Sequence, residues 1–417
     1  MGHGCAHEPG RLSARPAHAL SRYALKQRPC ASDAPKARMR TSQGIWSLDR
    51  WNWSSPPTPA TAPSVVLVFG AGCALLRSGA LEALRASHPG APVLACSTAG
   101  EIHDVHVLDD SVVASAIWLE HTPIRGVQVP IPSADASWAA GVAIARALAA
   151  DDLAHVLVFS EGLHVNGSDL VRGIGGTLAS HVGVTGALAG DGARFGRTLV
   201  GWNRLPAERC VAAIGLYGKH VRVRCGSMGG WDAFGPDRMV TRSEKNVLYE
   251  LDGEPALTLY KKYLGEHAAG LPSSALRFPL LVTTETAGRG VVRTILNVRE
   301  QDGAMIFAGD IPQGSSARLM KANVDRLVDG ASDAALATTS ALDVPPSLAI
   351  LVSCVGRKLV LRQRVEDEVE AVRDALGPSV PIVGLYSYGE ISPLIGQTRS
   401  ELHNQTMTIT TIGEMDP

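Results

Sequence analysis

From Val65 onward the apolar positions fall in a repeating order. Val65-Val66-Leu67-Val68-Phe69 is an unbroken apolar run, the pattern of a strand buried on both faces. After a Gly70-Ala71-Gly72 turn, Leu75, Leu76, Leu81 and Leu84 alternate with Arg77, Glu82 and Arg85, which predicts an amphipathic helix ending at His88-Pro89-Gly90. Val93-Leu94-Ala95-Cys96 is the next strand. The same order returns from His155-Val156-Leu157-Val158-Phe159, through a helix expected over residues 168–181, to Val184-Thr185-Gly186-Ala187-Leu188. It returns again from Leu348-Ala349-Ile350-Leu351-Val352-Ser353, through a charged helix over 364–376, to Val380-Pro381-Ile382-Val383-Gly384. Three copies of one strand–helix–strand order point to repeated βαβ-like units.

Between the copies the period changes to that of short strands and turns. Residues 197–200, 210–216 and 221–224 read as strands, and Lys245-Asn246 as the turn of a hairpin. Pro255 suits the first turn of a helix carrying Leu257, Leu259, Tyr260, Tyr263 and Leu264 and ending at Gly265. Residues 278–284, 291–298 and 304–307 are β-type again. The fold class expected is α/β, with a mixed, largely parallel sheet built from βαβ-like units, added β-hairpins, and two domains. The parallel pattern gives way to hairpins near Val240, which sets the expected domains at 63–240 and 241–414.

Residues 1–62 are rich in Arg, Pro, Ala, Ser and His without apolar period and are expected to be disordered. Trp46, Trp51 and Trp53 sit oddly in such a tail, which makes Met39 a candidate translation start. The chain has 417 residues and a formal net charge of -1, which argues against a general role at nucleic-acid or membrane surfaces. Its seven cysteines form no Cys-x-x-Cys, so neither a disulfide framework nor a zinc site is expected. No apolar run reaches the roughly 18 residues of a membrane helix, and no segment reads as a signal peptide. A cytoplasmic protein is the expectation.

Candidate chemistry gathers where the second strand of each copy ends. Ser97-Thr98-Ala99-Gly100-Glu101, Leu188-Ala189-Gly190-Asp191-Gly192 and Tyr386-Ser387-Tyr388-Gly389-Glu390 each place small or hydroxyl residues, then glycine, then a carboxylate at a strand's carboxyl end. Open α/β folds bind ligands there. Glycine admits close approach to the backbone, and hydroxyls and carboxylates supply directional hydrogen bonds. Ser97, Thr98, Gly100, Glu101, Tyr386, Ser387, Tyr388, Gly389 and Glu390 are therefore candidate ligand contacts, with Glu101 and Glu390 facing a shared cleft. The competing reading is that the two glutamates cap turns. Asp191 and Arg194 either pair with each other or offer Arg194 to a ligand carboxylate. His403 and Asn404 could bind a ligand or an iron, or be structural. The loop Gly229–Pro236, with Trp231 and Phe234, reads as a lid or as a packed corner between domains. Gly173-Ile174-Gly175-Gly176 follows no strand and is a weak dinucleotide signal. There is no Gly-x-Ser-x-Gly elbow, His-Glu-x-x-His pair, P-loop lysine or kinase motif set, so no catalytic residue and no metal site is assigned.

Several of these segments, in this order, resemble FIST proteins (F-box and intracellular signal transduction). They are Val65–Phe69 with Cys96–Ile102, Ala189–Ala193, Tyr249–Ala256, Phe307-Ala308-Gly309-Asp310-Ile311-Pro312 and Tyr386–Ile391, and the likeness covers about Met39 to Glu414. The resemblance implies a FIST N-terminal and a FIST C-terminal domain forming a sensory module for a small, amino-acid-like molecule. Some members are joined to histidine kinases, chemoreceptors or cyclic-dinucleotide enzymes. No such segment follows Glu414, so output is expected through a separate partner such as a histidine kinase. Some members are haem proteins that sense nitric oxide, and for that alternative His403 is the candidate axial ligand. A third alternative is an enzyme using Glu101, Asp191 or Glu390 as acid or base.

Overall fold

The computed structural model describes residues 39–55, 61–284, 290–339, 344–393 and 399–416. Residues 1–38 and 56–60, part of the stretch expected to be disordered, lie outside this set; over 40–53 that expectation is corrected. Arg40–Ser47 and Arg50–Trp53 are antiparallel strands, and the first of them pairs with Val112–Trp118. Trp51 and Trp53 stack with ring centroids 5.5 Å apart, and Trp51 Nε1 donates to the Ala80 carbonyl at 2.9 Å. These aromatics cover the helix Ala80–Ser87, which explains their place before the first apolar strand.

Each sequence copy becomes the centre of one sheet. In the first, Val65–Gly70 runs parallel to Val93–Ser97 and antiparallel to Val112–Trp118. In the second, Leu153–Ser160 is parallel to Gly183–Leu188 and antiparallel to Cys210–Tyr217, whose far edge carries Ile124–Pro130. In the third, Leu348–Cys354 is parallel to Ile382–Ser387 and antiparallel to Met407–Glu414, whose far edge carries Val221–Met228. Val65–Gly70 and Leu348–Cys354 are buried along their whole length, as the unbroken apolar runs require. The fold is mixed α/β, and in each of these three sheets parallel pairing is confined to the one central pair.

The strand after each Gly-acid phrase does not stay in its own sheet. Glu101–His103 leaves the first unit and pairs with Ile382–Ser387 of the third. Gly389–Pro393 leaves the third and pairs with Gly183–Leu188 of the second. Val200–Trp202 leaves the second and pairs with Val93–Ser97 of the first. The exchange is cyclic, and it covers the edge that the second strand of each parallel pair would otherwise expose.

A further eight-stranded sheet is inserted after Val221–Met228. It starts with the 14-residue strand Trp231–Glu244, which turns at Lys245-Asn246 into Val247–Leu251, and it packs on the helix Ala256–Leu264. The strand changes partner at Val240, from Ser316–Ala322 to Val247–Leu251. One expectation is corrected here: the loop expected over Gly229–Pro236 is strand from Trp231. The Trp231 indole is buried among Met320, Leu327 and Leu361 and donates to the Gln405 carbonyl at 2.9 Å.

The helix expected over 168–181 is shorter, Gly167–Gly175. Its closing glycines are poor helix formers, and Gly173 has a packing role. A Cβ there would stand 2.3 Å from the Trp138 carbonyl of the neighbouring helix Ser137–Leu148. Within the glycine-rich Gly173–Gly176 stretch, Gly173 thus marks a close helix crossing. No helix of the described residues is long and apolar enough to cross a membrane.

Candidate functional site

The three Gly-acid phrases meet. The Ala99 amide donates to the Tyr386 carbonyl at 2.8 Å, the Tyr388 amide to the Leu188 carbonyl at 3.0 Å, and the Gly190 amide to the Ser97 carbonyl at 3.1 Å. Each unit binds the next, so the strand ends close into a three-part hub. Ser97 Oγ adds a bond to the Gly190 carbonyl and accepts from the Leu199 amide, both at 2.9 Å.

The hub is closed by its own side chains. Glu101 and Glu390 are fully buried. Glu390 accepts from Ser387 Oγ at 2.9 Å, from the Thr406 amide at 3.1 Å and from Thr406 Oγ1 at 3.0 Å. Glu101 repeats this arrangement with Thr98 Oγ1, the Ser111 amide at 3.1 Å and Ser111 Oγ at 2.6 Å. Each acid ties its exchanged strand to the residue that enters a later strand, Ser111 before Val112–Trp118 and Thr406 before Met407–Glu414. Burial pushes both acids up, Glu390 to about 8. In the second unit the Cys210 thiol donates instead to the Val200 carbonyl, at 3.1 Å. Gly100 and Gly389 lie in the same turns, and neither glutamate lines either of the two cavities described below.

The other candidates are also engaged. Asp191 accepts from the Gly196 and Arg197 amides, both at 2.9 Å, and from the Tyr388 hydroxyl. Arg194 is exposed and makes no ion pair with Asp191. The Tyr386 hydroxyl donates to Glu368 at 2.6 Å, and Glu368 forms a fully buried pair with Arg357 at 2.7 Å. Burial raises both tyrosines far above the usual range. Asn404 accepts from the Thr294 amide at 3.3 Å and donates to the Tyr388 carbonyl at 3.2 Å, tying the inserted sheet to the hub. The buried His403 ring donates from Nε2 to the Ser392 carbonyl at 2.9 Å, and burial lowers it to about 4, so it is neutral. With its Nε2 spent on a carbonyl and the ring enclosed, His403 does not fit an axial haem ligand. Among the described residues no group of three His, Cys, Asp or Glu could hold a metal.

Open space lies elsewhere. A cavity of about 240 Å³ separates the helix Gly167–Gly175 from the inserted sheet. Ser168 and Arg172 come from the helix, Arg293 from the strand Val291–Arg293, Asp310 from the turn after Ala304–Phe307, and Glu401 and Leu402 from Ser400–His403. Arg172 and Asp310 pair across it at 2.8 Å, and Asn166, the helix N-cap, donates to Asp310 at 2.7 Å. Arg293 is held by the Asp310 carbonyl at 3.1 Å and the Leu402 carbonyl at 2.8 Å, and burial lowers it to about 10, so it is still charged at neutral pH. Val171, Val282 and Val291 supply the apolar wall.

The FIST N domain model matches residues 64–254 and the FIST C domain model residues 256–393. The chain belongs to the FIST family. No curated protein matches it. FIST domains are sensory domains of signal transduction. The cavity lies between the two: Ser168 and Arg172 belong to the FIST N match, and Arg293 and Asp310 to the FIST C match.

None of the thirteen residues singled out from the sequence lines this FIST N–FIST C cavity, although Leu402 directly precedes His403 and Asn404. A signal was available. Phe307-Ala308-Gly309-Asp310-Ile311 is a fourth strand end in Gly-acid, and there the carboxylate does reach open space. Gly309 is required by close approach, since a Cβ would stand 2.7 Å from Ser168 Oγ and 2.8 Å from a Leu402 methyl.

Proposed function

We propose that the protein senses a small zwitterionic, amino-acid-like molecule in the cavity between its FIST N and FIST C domains. Working in the cytoplasm, it passes the change to a separate signalling partner such as a histidine kinase. The observation that carries this reading is the meeting of Arg172 and Arg293 with Asp310 and Glu401 around a cavity of about 240 Å³. Guanidinium forks suit a carboxylate, and the facing acids suit an ammonium. The volume is below the roughly 300–1,000 Å³ of pockets for drug-sized ligands, which favours a molecule of amino-acid size. The Arg172–Asp310 pair bridges the two domains, so a ligand that competes for either partner changes how strongly they are coupled. A differential interaction of this kind is what a binding signal needs.

Thermal shift of the full chain across the common amino acids tests the reading. A binder at a hundredfold excess over its Kd adds about 2.7 kcal/mol of stability. Arg172→Ala and Glu401→Gln, both at exposed positions, are expected to weaken the best binder tenfold or more. A panel without a binder, or a binder indifferent to both variants, contradicts it.

A further inference from the structure

A second cavity, of about 470 Å³, opens at the mouth of the hub, where all three units and the inserted sheet meet. Its floor is the backbone of two of the Gly-acid phrases, Ala99 and Gly192-Ala193. Three cations and one carboxylate line it: Arg277, Lys358 and Arg362 against Asp109. Lys358 is committed, pairing with Asp109 and donating to the Ala99 carbonyl at 3.1 Å. Glu366, beside the cavity, is turned to the Val107 amide at 3.1 Å and to His106. Among the described residues Arg277 and Arg362 have no carboxylate partner, whereas nearby Arg364 pairs with both Asp325 and Asp367. Arg362 also holds a left-handed backbone, φ 53°, at the end of the helix Val355–Leu361. Non-glycine residues seldom adopt that conformation, and where they do it often marks a functional position. An apolar strip of Val107, Leu359 and Val365 completes the wall.

We propose that this cleft is a second ligand site, for a small organic phosphate. Arg277 and Arg362 grip the phosphate, for which paired guanidiniums are well suited, and the apolar strip covers the organic part. The site is separate from the zwitterion cavity and does not depend on it.

Calorimetric titration of the full chain at physiological salt, with adenosine 5′-monophosphate and glucose 6-phosphate as probes, tests the proposal. At least one probe is expected to bind saturably and more tightly than inorganic phosphate or succinate. Arg277→Ala and Arg362→Ala should each weaken it tenfold or more, while Arg242→Ala, at an exposed position lining neither cavity, leaves it unchanged. Circular dichroism and an unchanged thermal unfolding temperature confirm that the variants are folded. Lack of saturable binding for both probes, equal affinity in both arginine variants, or tighter binding of succinate would overturn the proposal.

Discussion

Glu390 is enclosed with its oxygens spent on Ser387 and Thr406, and burial lifts its pKa to about 8 from the 4.5 of an ordinary glutamate. A folded pKa above the unfolded one means that the folded state holds the proton more tightly. The stability this gives is complete below about pH 4.5 and is lost as pH rises through 8. At about 1.4 kcal/mol per unit the loss amounts to a few kcal/mol. His403, lowered to about 4, and His155, lowered to about 3, act in the opposite sense in acid. The informative quantity is therefore the difference between the protein and Glu390→Gln. Urea unfolding from pH 5 to 8 should show the wild type losing at least about 1 kcal/mol relative to the variant, and a flat difference would contradict the raised pKa of the buried acid. At this scale the sequence exposed the importance of Glu101 and Glu390 through the repeated phrase, and Ser387-x-x-Glu390 is a local pair that spacing alone reveals. Their confinement was hidden because the closing donors, Ser111 and Thr406, stand 10 and 16 residues downstream, each just before a later strand.

The strands were legible wherever burial was total, because a strand with both faces covered must be apolar at every position. Val65–Gly70 and Leu348–Cys354 follow that rule. Helix length was less so, since periodicity does not report what a glycine touches. Gly173 and Gly175 lie on the same helix, yet a Cβ at Gly173 would meet the Trp138 carbonyl at 2.3 Å and a Cβ at Gly175 meets nothing within 4 Å. Gly173→Ala is expected to destabilise by roughly 1–3 kcal/mol through overpacking. Gly175→Ala should be neutral or stabilise by up to about 1 kcal/mol by lowering backbone entropy in the unfolded chain. Thermal denaturation of the two variants checks this, and equal effects would place the helix crossing elsewhere.

Across the whole molecule, cyclic strand exchange makes the three units interdependent. Nothing local in Glu101–His103 says that its partner is Ile382–Ser387, so this organisation could not be read along the chain. The same holds for the zwitterion cavity, whose charged residues are spread along the chain from Arg172 to Glu401. Residues 64–254, the extent of the FIST N match, would leave Glu101–His103 without Ile382–Ser387 and Gly183–Leu188 without Gly389–Pro393. That fragment is expected to unfold at a markedly lower temperature than the full chain, or to aggregate through its bared edges. Calorimetry compares the two, and a fragment as stable as the parent would show that exchange is dispensable. The central claim is that the sensed molecule sits between the FIST N and FIST C domains. A crystal structure of the full chain with its best amino-acid binder tests it most directly. The account predicts density between Gly167–Gly175 and the inserted sheet, with the ligand carboxylate on Arg172 or Arg293 and its ammonium facing Asp310 or Glu401. Density at the Glu101 and Glu390 latches, or beside Ala99 and Gly192, would contradict it.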